Sequence, residues 1–206
     1  MKKITLFGAT GRVGKEILNF LLSDGYSVTA LVRSPEKIIT SPNLRIIKGD
    51  ATTFKDVELA ISDSDAVVSA LNTDGQQTLS LATPNMIEAM VANNITRIIT
   101  IGTAGILQSR LQPELFRFQS TESRRRTTRA AEEHLAAFNM LKSSPLKWTI
   151  ICPTYLPDGE LTKQYRYSAD FLPLDGKEIS VEDTAHFAYD QLFKEEFVYK
   201  RVGICY

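Results

Sequence analysis

A short run of β-forming residues at 4–7 passes directly into helical periodicity from Lys15 onward. The junction holds three glycines, Gly8, Gly11 and Gly14, spaced three apart. A strand that enters a helix in this way leaves the first N–H groups of the helix bare and converging on one point. A pyrophosphate satisfies those donors and the positive end of the helix dipole together. Gly8 permits the tight turn, Gly11 admits phosphate to the backbone, and Gly14 lets the helix lie close to the strand. Glycine-rich turns are common, but here strand and helix flank the glycines as a nucleotide-binding fingerprint requires.

The remaining chain extends that beginning. Helical periodicity over 11–23 places Val13, Ile17, Leu18, Leu21 and Leu22 on one face, and Asp24-Gly25 closes it. Strands are expected at 26–32 and 44–47, with a turn at 40–43 between them. Thr53 is placed to cap a helix over 54–61, with Asp56 and Glu58 near its positive end. A buried strand at 65–71 runs into a loop at 72–76, then a helix over 78–93 that Pro84 is expected to bend. A strand at 97–101 opens into Gly102-Thr103-Ala104-Gly105, and 106–120 shows no period. A charged helix is expected over 121–142 and a strand at 147–152. A Pro/Gly-punctuated excursion follows over 153–176, with a short extended piece near Ile179. Ser180-Val181-Glu182-Asp183 is a capping-box pattern for a helix reaching about 193, and 202–205 is a last strand. Strand–helix alternation with apolar strands predicts an α/β fold, a doubly wound parallel sheet covered on both faces. With no repeat or linker, 1–206 reads as a single Rossmann-like domain, with 103–120 and 153–177 as substrate-side loops.

Charge and composition narrow the partners. Lys plus Arg and Asp plus Glu each number 24, so the net charge is zero and points to neither nucleic acid nor a membrane surface. No apolar run reaches transmembrane length, and Met1-Lys2-Lys3 leads into a strand rather than a signal sequence. Cys152 and Cys205 lack metal-site spacing and suit reduced core thiols, so the expected location is cytoplasmic. A monomer or weak homodimer is expected.

The second strand ends Leu31-Val32-Arg33-Ser34, with arginine where NAD-selective sites place an acidic side chain. Arginine there suits a 2′-phosphate through bidentate charge-assisted bonding, and Arg12 in the glycine loop could close on the same phosphate. Each taken singly could equally be a solvated surface arginine. Together they favour NADP(H). Asp50 fits a hydrogen bond to the adenine amino group or, nearly as well, a turn aspartate after Gly49.

Several stretches resemble one family. These are Phe7-Gly8-Ala9-Thr10-Gly11-Arg12-Val13-Gly14, Ala30-Leu31-Val32-Arg33-Ser34-Pro35-Glu36-Lys37 and Lys48-Gly49-Asp50-Ala51. The series continues with Val67-Val68-Ser69-Ala70-Leu71, Leu146-Lys147-Trp148-Thr149-Ile150-Ile151-Cys152-Pro153 and Ser180-Val181-Glu182-Asp183-Thr184-Ala185. In this order they resemble the atypical short-chain dehydrogenase/reductases, in particular the NmrA-like and flavin reductase/biliverdin reductase branch. The resemblance implies that Gly8, Thr10, Gly11, Arg12 and Val13 hold phosphates and Arg33 the 2′-phosphate. It implies Asp50 and Ala51 at adenine, Leu71 and Asn72 along the ribose, and Pro153 and Thr154 at the nicotinamide. Two departures stand out. Cys152-Pro153 replaces the frequent Arg-Pro, and 121–142 contains no tyrosine, so the Tyr-x-x-x-Lys base of the superfamily is missing.

Chemistry at such a site belongs to the cofactor, while the protein positions the acceptor and, where needed, supplies a proton. Thr103 sits where the superfamily places a serine and could orient a substrate oxygen, or it could simply cap a turn. Tyr155 falls where the flavin reductases carry a histidine and could stack on an isoalloxazine, donate a proton, or merely cover the cofactor. His134 lies in a stretch that supplies a substrate-facing histidine in that branch, or is a half-exposed helix residue. His186 reads as packing. Arg124, Arg125, Arg126 and Arg129 form a solvated face or attract an anionic substrate. The expectation is an NADPH-dependent reductase of a small planar acceptor, flavin- or quinone-like. The rival is a non-catalytic NADP(H) sensor of the NmrA-like type. A nucleotide-sugar isomerase or epimerase ranks last, because those enzymes usually keep the tyrosine base and a separate substrate lobe.

Overall fold

A computed structural model gives the structure of the chain, described for residues 2–73, 75–123 and 127–206. In chain order the elements are β1 (Lys3–Phe7), α1 (Arg12–Ser23), β2 (Ser27–Val32), β3 (Leu44–Lys48), α2 (Phe54–Ile61), β4 (Ala66–Ser69) and α3 (Thr78–Ala92). They continue with β5 (Arg97–Ile101), α4 (Arg129–Lys142), β6 (Lys147–Pro153), β7 (Arg166–Ala169), α5 (Val181–Gln191) and β8 (Lys200–Cys205). One sheet takes the order β3-β2-β1-β4-β5-β6-β8-β7. Every neighbouring pair is parallel except β7 on β8. The doubly wound α/β sheet expected from the sequence is therefore present. The strand order reverses between β1 and β4, and in open α/β sheets the crevice at that reversal is where ligands bind.

Alternation along β1 divides the core. Leu6 belongs to the cluster that joins the sheet to α1 and α5, including Ile17, Leu21, Ile151 and Phe187. Phe7, the next residue, belongs to the opposite cluster with Val67, Met90, Ile98, Phe138 and Trp148, beneath α2, α3 and α4. Leu6 and Phe7 are both fully buried, and burial of such side chains stabilises by about 1.5–3 kcal/mol each. Both faces of the sheet are thus committed to packing, which leaves the carboxyl edge for ligands.

Three local expectations are corrected. The excursion over 153–176 contains β7, with Tyr167 opposite Ile204 in the antiparallel pairing. Tyr167 and Ala169 do alternate with Arg166 and Ser168, but a run of 4 residues is too short to stand out within the excursion. Helix α4 begins at Arg129 rather than near 121. Residues 120–123 are instead held by loop bonds, Ser123 N–H to Ser120 O at 3.2 Å and Arg110 N–H to the Glu122 carboxylate at 2.8 Å. Thr53 occupies the N-cap of α2 without a side-chain cap; Asp56 reaches back to the Asp50 N–H instead, at 2.9 Å. Pro84 sits within α3, which runs unbroken from Thr78 to Ala92. The Arg124–Arg126 run lies outside the described residues. Among the described residues no helix is long and apolar enough to cross a membrane.

Candidate functional site

The turn after β1 is built against the end of β4. Gly8 has φ +79°, and a Cβ there would stand 2.5 Å from the Ala70 carbonyl oxygen. Gly11 N–H donates to Gly8 O at 2.9 Å, and the first helical bond of α1 is Lys15 N–H to Gly11 O, also at 2.9 Å. The N–H groups of Arg12, Val13 and Gly14 precede that bond. No side chain caps this N-terminus, and its first turn holds no acidic residue. A Cβ on Gly11 would meet only Gly8 O at 3.2 Å and Ala70 O at 3.9 Å, so its outer side is open. Bare donors, an unneutralised dipole and an open glycine face together fit an anionic phosphate.

From this turn a cleft of about 230 Å³ extends over the ends of β1, β2 and β4. It brings together Gly8, Thr10, Arg33, Asp50, Ala51, Leu71 and Asn72, and adds Gln76, Gln77 and Thr78 from the start of α3. Asp50 Oδ1 accepts both the N–H and the hydroxyl of Thr52, at 2.9 and 2.8 Å. The Thr52 N–H, which outweighs the opposing burial, holds this carboxyl below its usual range, with help from the Thr52 hydroxyl and the Arg33 charge. Asp50 is thus a turn aspartate and a cleft residue at once. Arg12 is aimed elsewhere. Its Nε and Nη2 donate to Asp158 Oδ1 at 3.0 and 2.6 Å, and Nη2 also donates to Leu156 O at 2.9 Å. The expected convergence of Arg12 and Arg33 on one phosphate is replaced by an arginine on each side of the phosphate turn.

A second pocket, about 270 Å³, lies over the ends of β5 and β6. Thr103, Pro153, Thr154 and Tyr155 line it, with Ala131 of α4, Arg117, Phe118, Glu122 and Lys177. The Thr103 hydroxyl accepts the Gly105 N–H at 3.4 Å, so it caps the following turn while facing the pocket. Thr154 Oγ1 is buried without a hydrogen-bond partner among the described residues. Such a group is costly unless something fills its place. Tyr155 is 65% exposed; its backbone is fixed by Tyr155 N–H to Lys177 O at 3.3 Å and Ile179 N–H to Tyr155 O at 3.0 Å. His134 does not line the pocket, and burial pushes its imidazole down to about 4. His186 packs against Phe20 and bonds Tyr165. Burial lifts the Cys152 thiol to about 12, which leaves it inert as a nucleophile.

Arg117 and Lys177 escaped sequence reasoning because 106–120 shows no period and the Pro/Gly-punctuated excursion leads into Lys177, and Glu122 because it falls in the helix expected over 121–142, which begins only at Arg129. Arg117 pairs with Glu122 at 3.4 Å, both side chains largely shielded. The loop carrying them is fixed from beneath by Arg201, whose guanidinium lies 5.2 Å from the Phe116 ring and 4.7 Å from that of Phe138. A buried cation between two rings is a strong fastening for a loop without regular structure.

Comparison with known proteins agrees with this geometry. A family model described as NAD(P)H-binding matches residues 8–195. The chloroplastic protein At2g34460 of Arabidopsis thaliana is 28% identical, over 98% of this chain and 76% of its own length. A solved Bacteroides thetaiotaomicron protein, provisionally named an epimerase, superposes with a TM-score of 0.86 at 29% identity, covering 100% of this chain and 97% of its own. A Streptococcus pneumoniae protein, provisionally named an NADH-flavin reductase, does so with a TM-score of 0.82 at 25% identity, covering 100% and 99%. With the glycine turn at the β1–β4 reversal and a family match across almost its whole length, the chain belongs to the NAD(P)H-binding family and has the Rossmann fold.

Proposed function

We propose that this chain is an NADPH-dependent reductase of a planar acceptor such as a flavin or quinone. The observation that carries this reading is the second pocket, which opens at the carboxyl edge beside Pro153 and Thr154 and is walled by Tyr155 and Phe118. Aromatic walls suit a flat conjugated ring. The Streptococcus relative's name supports a flavin in particular.

In this reading the α1 N–H groups, with Gly8, Thr10, Gly11, Arg12 and Val13, hold the pyrophosphate. Arg33 selects NADPH by pairing with the 2′-phosphate. Asp50 and Ala51 border adenine, and Leu71 and Asn72 border the ribose. Pro153 and Thr154 border the nicotinamide, where the unpartnered Thr154 hydroxyl has a donor to give. When bound, the dinucleotide supplies a hydride for direct transfer. Thr103 and Tyr155 orient the acceptor and exclude water, which is catalysis by positioning. His134 stands outside the pocket and receives no part in this machinery. We further assign the protein to a reducing compartment such as the cytoplasm, supported by the buried free thiols Cys152 and Cys205, and to a monomer or weak homodimer.

One observation favours a sensor of the NmrA-like kind, which binds the dinucleotide and a protein partner without turnover: no tyrosine base lies between 121 and 142. The same absence weighs against an epimerase, whatever the name of the Bacteroides relative. NADPH oxidation measured against a panel of flavins and quinones separates these readings. Turnover of a planar acceptor supports the reductase; tight NADPH binding with no turnover supports the sensor.

A further inference from the structure

Residues 155–165 run from the wall of the second pocket past the N-terminus of α5 to β7, and their attachments differ in strength. At the far end the buried Asp183 carboxylate accepts the Thr162 N–H at 3.0 Å, the Thr162 hydroxyl at 2.7 Å and the Lys163 N–H at 2.8 Å. It also accepts the Tyr206 hydroxyl at 2.8 Å. Burial raises this carboxyl, yet the four donors hold it below its usual range, so the attachment is permanent at neutral pH. Between the ends, Val181 N–H donates to Pro157 O at 3.0 Å.

The near end is held differently. Among the described residues, every polar contact between the phosphate turn and this segment comes from Arg12, to Asp158 Oδ1 and to Leu156 O on either side of Pro157. The pair is solvent-exposed, with side-chain exposures of 55% and 89%, and exposed pairs hold weakly. It occupies Nε and Nη2, and Nη1 carries no bond to a described residue. Arg12 also carries one of the N–H groups at the open N-terminus of α1, so it joins that N-terminus to the residues that follow Tyr155 of the pocket wall.

We propose that Asp158, acting through Arg12, is a positioning residue that transmits dinucleotide occupancy to the acceptor wall. Phosphate on the α1 N-terminus fixes the Arg12 side chain, partly through Nη1. The fixed guanidinium then fixes Leu156 and Asp158 and so stiffens the segment that leaves Tyr155, whose backbone is held on its other side by Lys177 O and the Ile179 N–H. The acceptor therefore binds the dinucleotide complex more tightly than the free protein, and by linkage the converse holds. This inference rests on the reductase reading for its acceptor but not for its test.

The test is hydrogen–deuterium exchange of the full chain with and without NADP⁺. Saturating NADP⁺ is expected to slow exchange of the 156–161 amides by about fivefold. Asp158→Asn is expected to abolish that slowing while the NADP⁺ Kd moves by no more than about twofold, and Asp158→Glu to restore it. A slowing that persists undiminished in Asp158→Asn, or none in the wild type at saturation, overturns the proposal. An unchanged thermal midpoint shows that Asp158→Asn is folded. A parallel FMN titration with and without NADP⁺ separates the two ideas. Coupled exchange without FMN binding keeps the Arg12–Asp158 pair and removes the flavin.

Discussion

Gly14 of α1 stands directly over Gly8, so close that a Cβ on Gly14 would lie 2.1 Å from the Gly8 carbonyl oxygen and 3.3 Å from the Ala70 side chain. Gly11, three residues earlier, meets nothing closer than 3.2 Å. The two glycines therefore fail differently when replaced. Gly14→Ala forces α1 off the sheet and is expected to lower stability by about 3 kcal/mol or more, as an overpacked contact against rigid backbone does. Gly11→Val is expected to leave the thermal midpoint nearly unchanged and to abolish NADPH binding, since its branches enter the phosphate position. Thermal unfolding and NADPH fluorescence titration of both variants check the contrast. Wild-type affinity in Gly11→Val would refute the assigned phosphate site.

Arg33 lines the adenosine-side cleft beside Asp50, and its expected role is selection of NADPH. Charge-assisted bonds of about 1.5–3 kcal/mol imply a preference over NADH of about tenfold or more. Replacing Arg33 by Asp should weaken NADPH more than NADH. With Arg12 engaged by Asp158, this preference rests mainly on Arg33, so Arg12→Ala should disturb it less. Equal wild-type affinities for the two nucleotides would exclude the assignment.

What could be read from the sequence, and what could not, divides along the range of the interactions. The Gly8–Gly14 turn and the order of strands and helices were legible because they depend on local spacing and periodicity. Arg12 was read as a phosphate ligand from its place in the turn, but its partner lies 146 residues away, and no local pattern records that. β7 is a strand because β8 offers it an edge; the alternation in Arg166–Ala169 is too short to announce one alone. A pocket lies at the carboxyl edge among the irregular stretches, but its charged residues Arg117, Glu122 and Lys177 come from segments without regular structure, the first of them fastened through Phe116 by Arg201.

Lys177 faces the second pocket and has no ion-pair partner among the described residues, whereas Arg117 beside it is taken by Glu122. The alternation of extended backbone puts Lys177 and Glu178 on opposite sides, and Glu178 is absent from the lining. The acceptor should therefore gain from a negative group. FMN is expected to show a KM about threefold below that of riboflavin at low salt, converging as salt screens the charge. Lys177→Met should erase the difference through the FMN KM. A riboflavin KM equal to that of FMN in the wild type would remove Lys177 from acceptor choice.

His134 gives the protein a predictable weakness in acid. Burial holds its imidazole near 4 in the folded chain, against about 6.5 when unfolded. Between those values the unfolded chain binds the extra proton, so stability rises with pH across the window. The contribution is complete above about pH 6.5 and is lost progressively down to about pH 4, by at most about 3 kcal/mol. His134→Gln should flatten the dependence of the unfolding midpoint on pH within that range, and denaturant titrations at several pH values would show it. A slope identical to wild type would place the acid sensitivity on other groups.

The last question is how a reduction proceeds without a tyrosine base. Tyr155 is held by its backbone between Lys177 O and the Ile179 N–H, and no hydrogen bond fixes its hydroxyl to a described residue. The main chain is thus placed while the hydroxyl is not, which suits a wall better than a poised acid. For a flavin, holding two rings face to face with water excluded accounts for catalysis by orientation. Tyr155→Phe keeps the wall and should retain most of kcat. Tyr155→Ala removes it, opens the pocket to water, and should raise the acceptor KM as much as it lowers the rate. If Tyr155 instead protonates a carbonyl, Phe would be nearly as damaging as Ala, with losses of roughly 10²-fold. Steady-state kinetics of both variants, with one flavin and one quinone, distinguish the two roles. A Phe variant as impaired as Ala with both acceptors would make Tyr155 the acid.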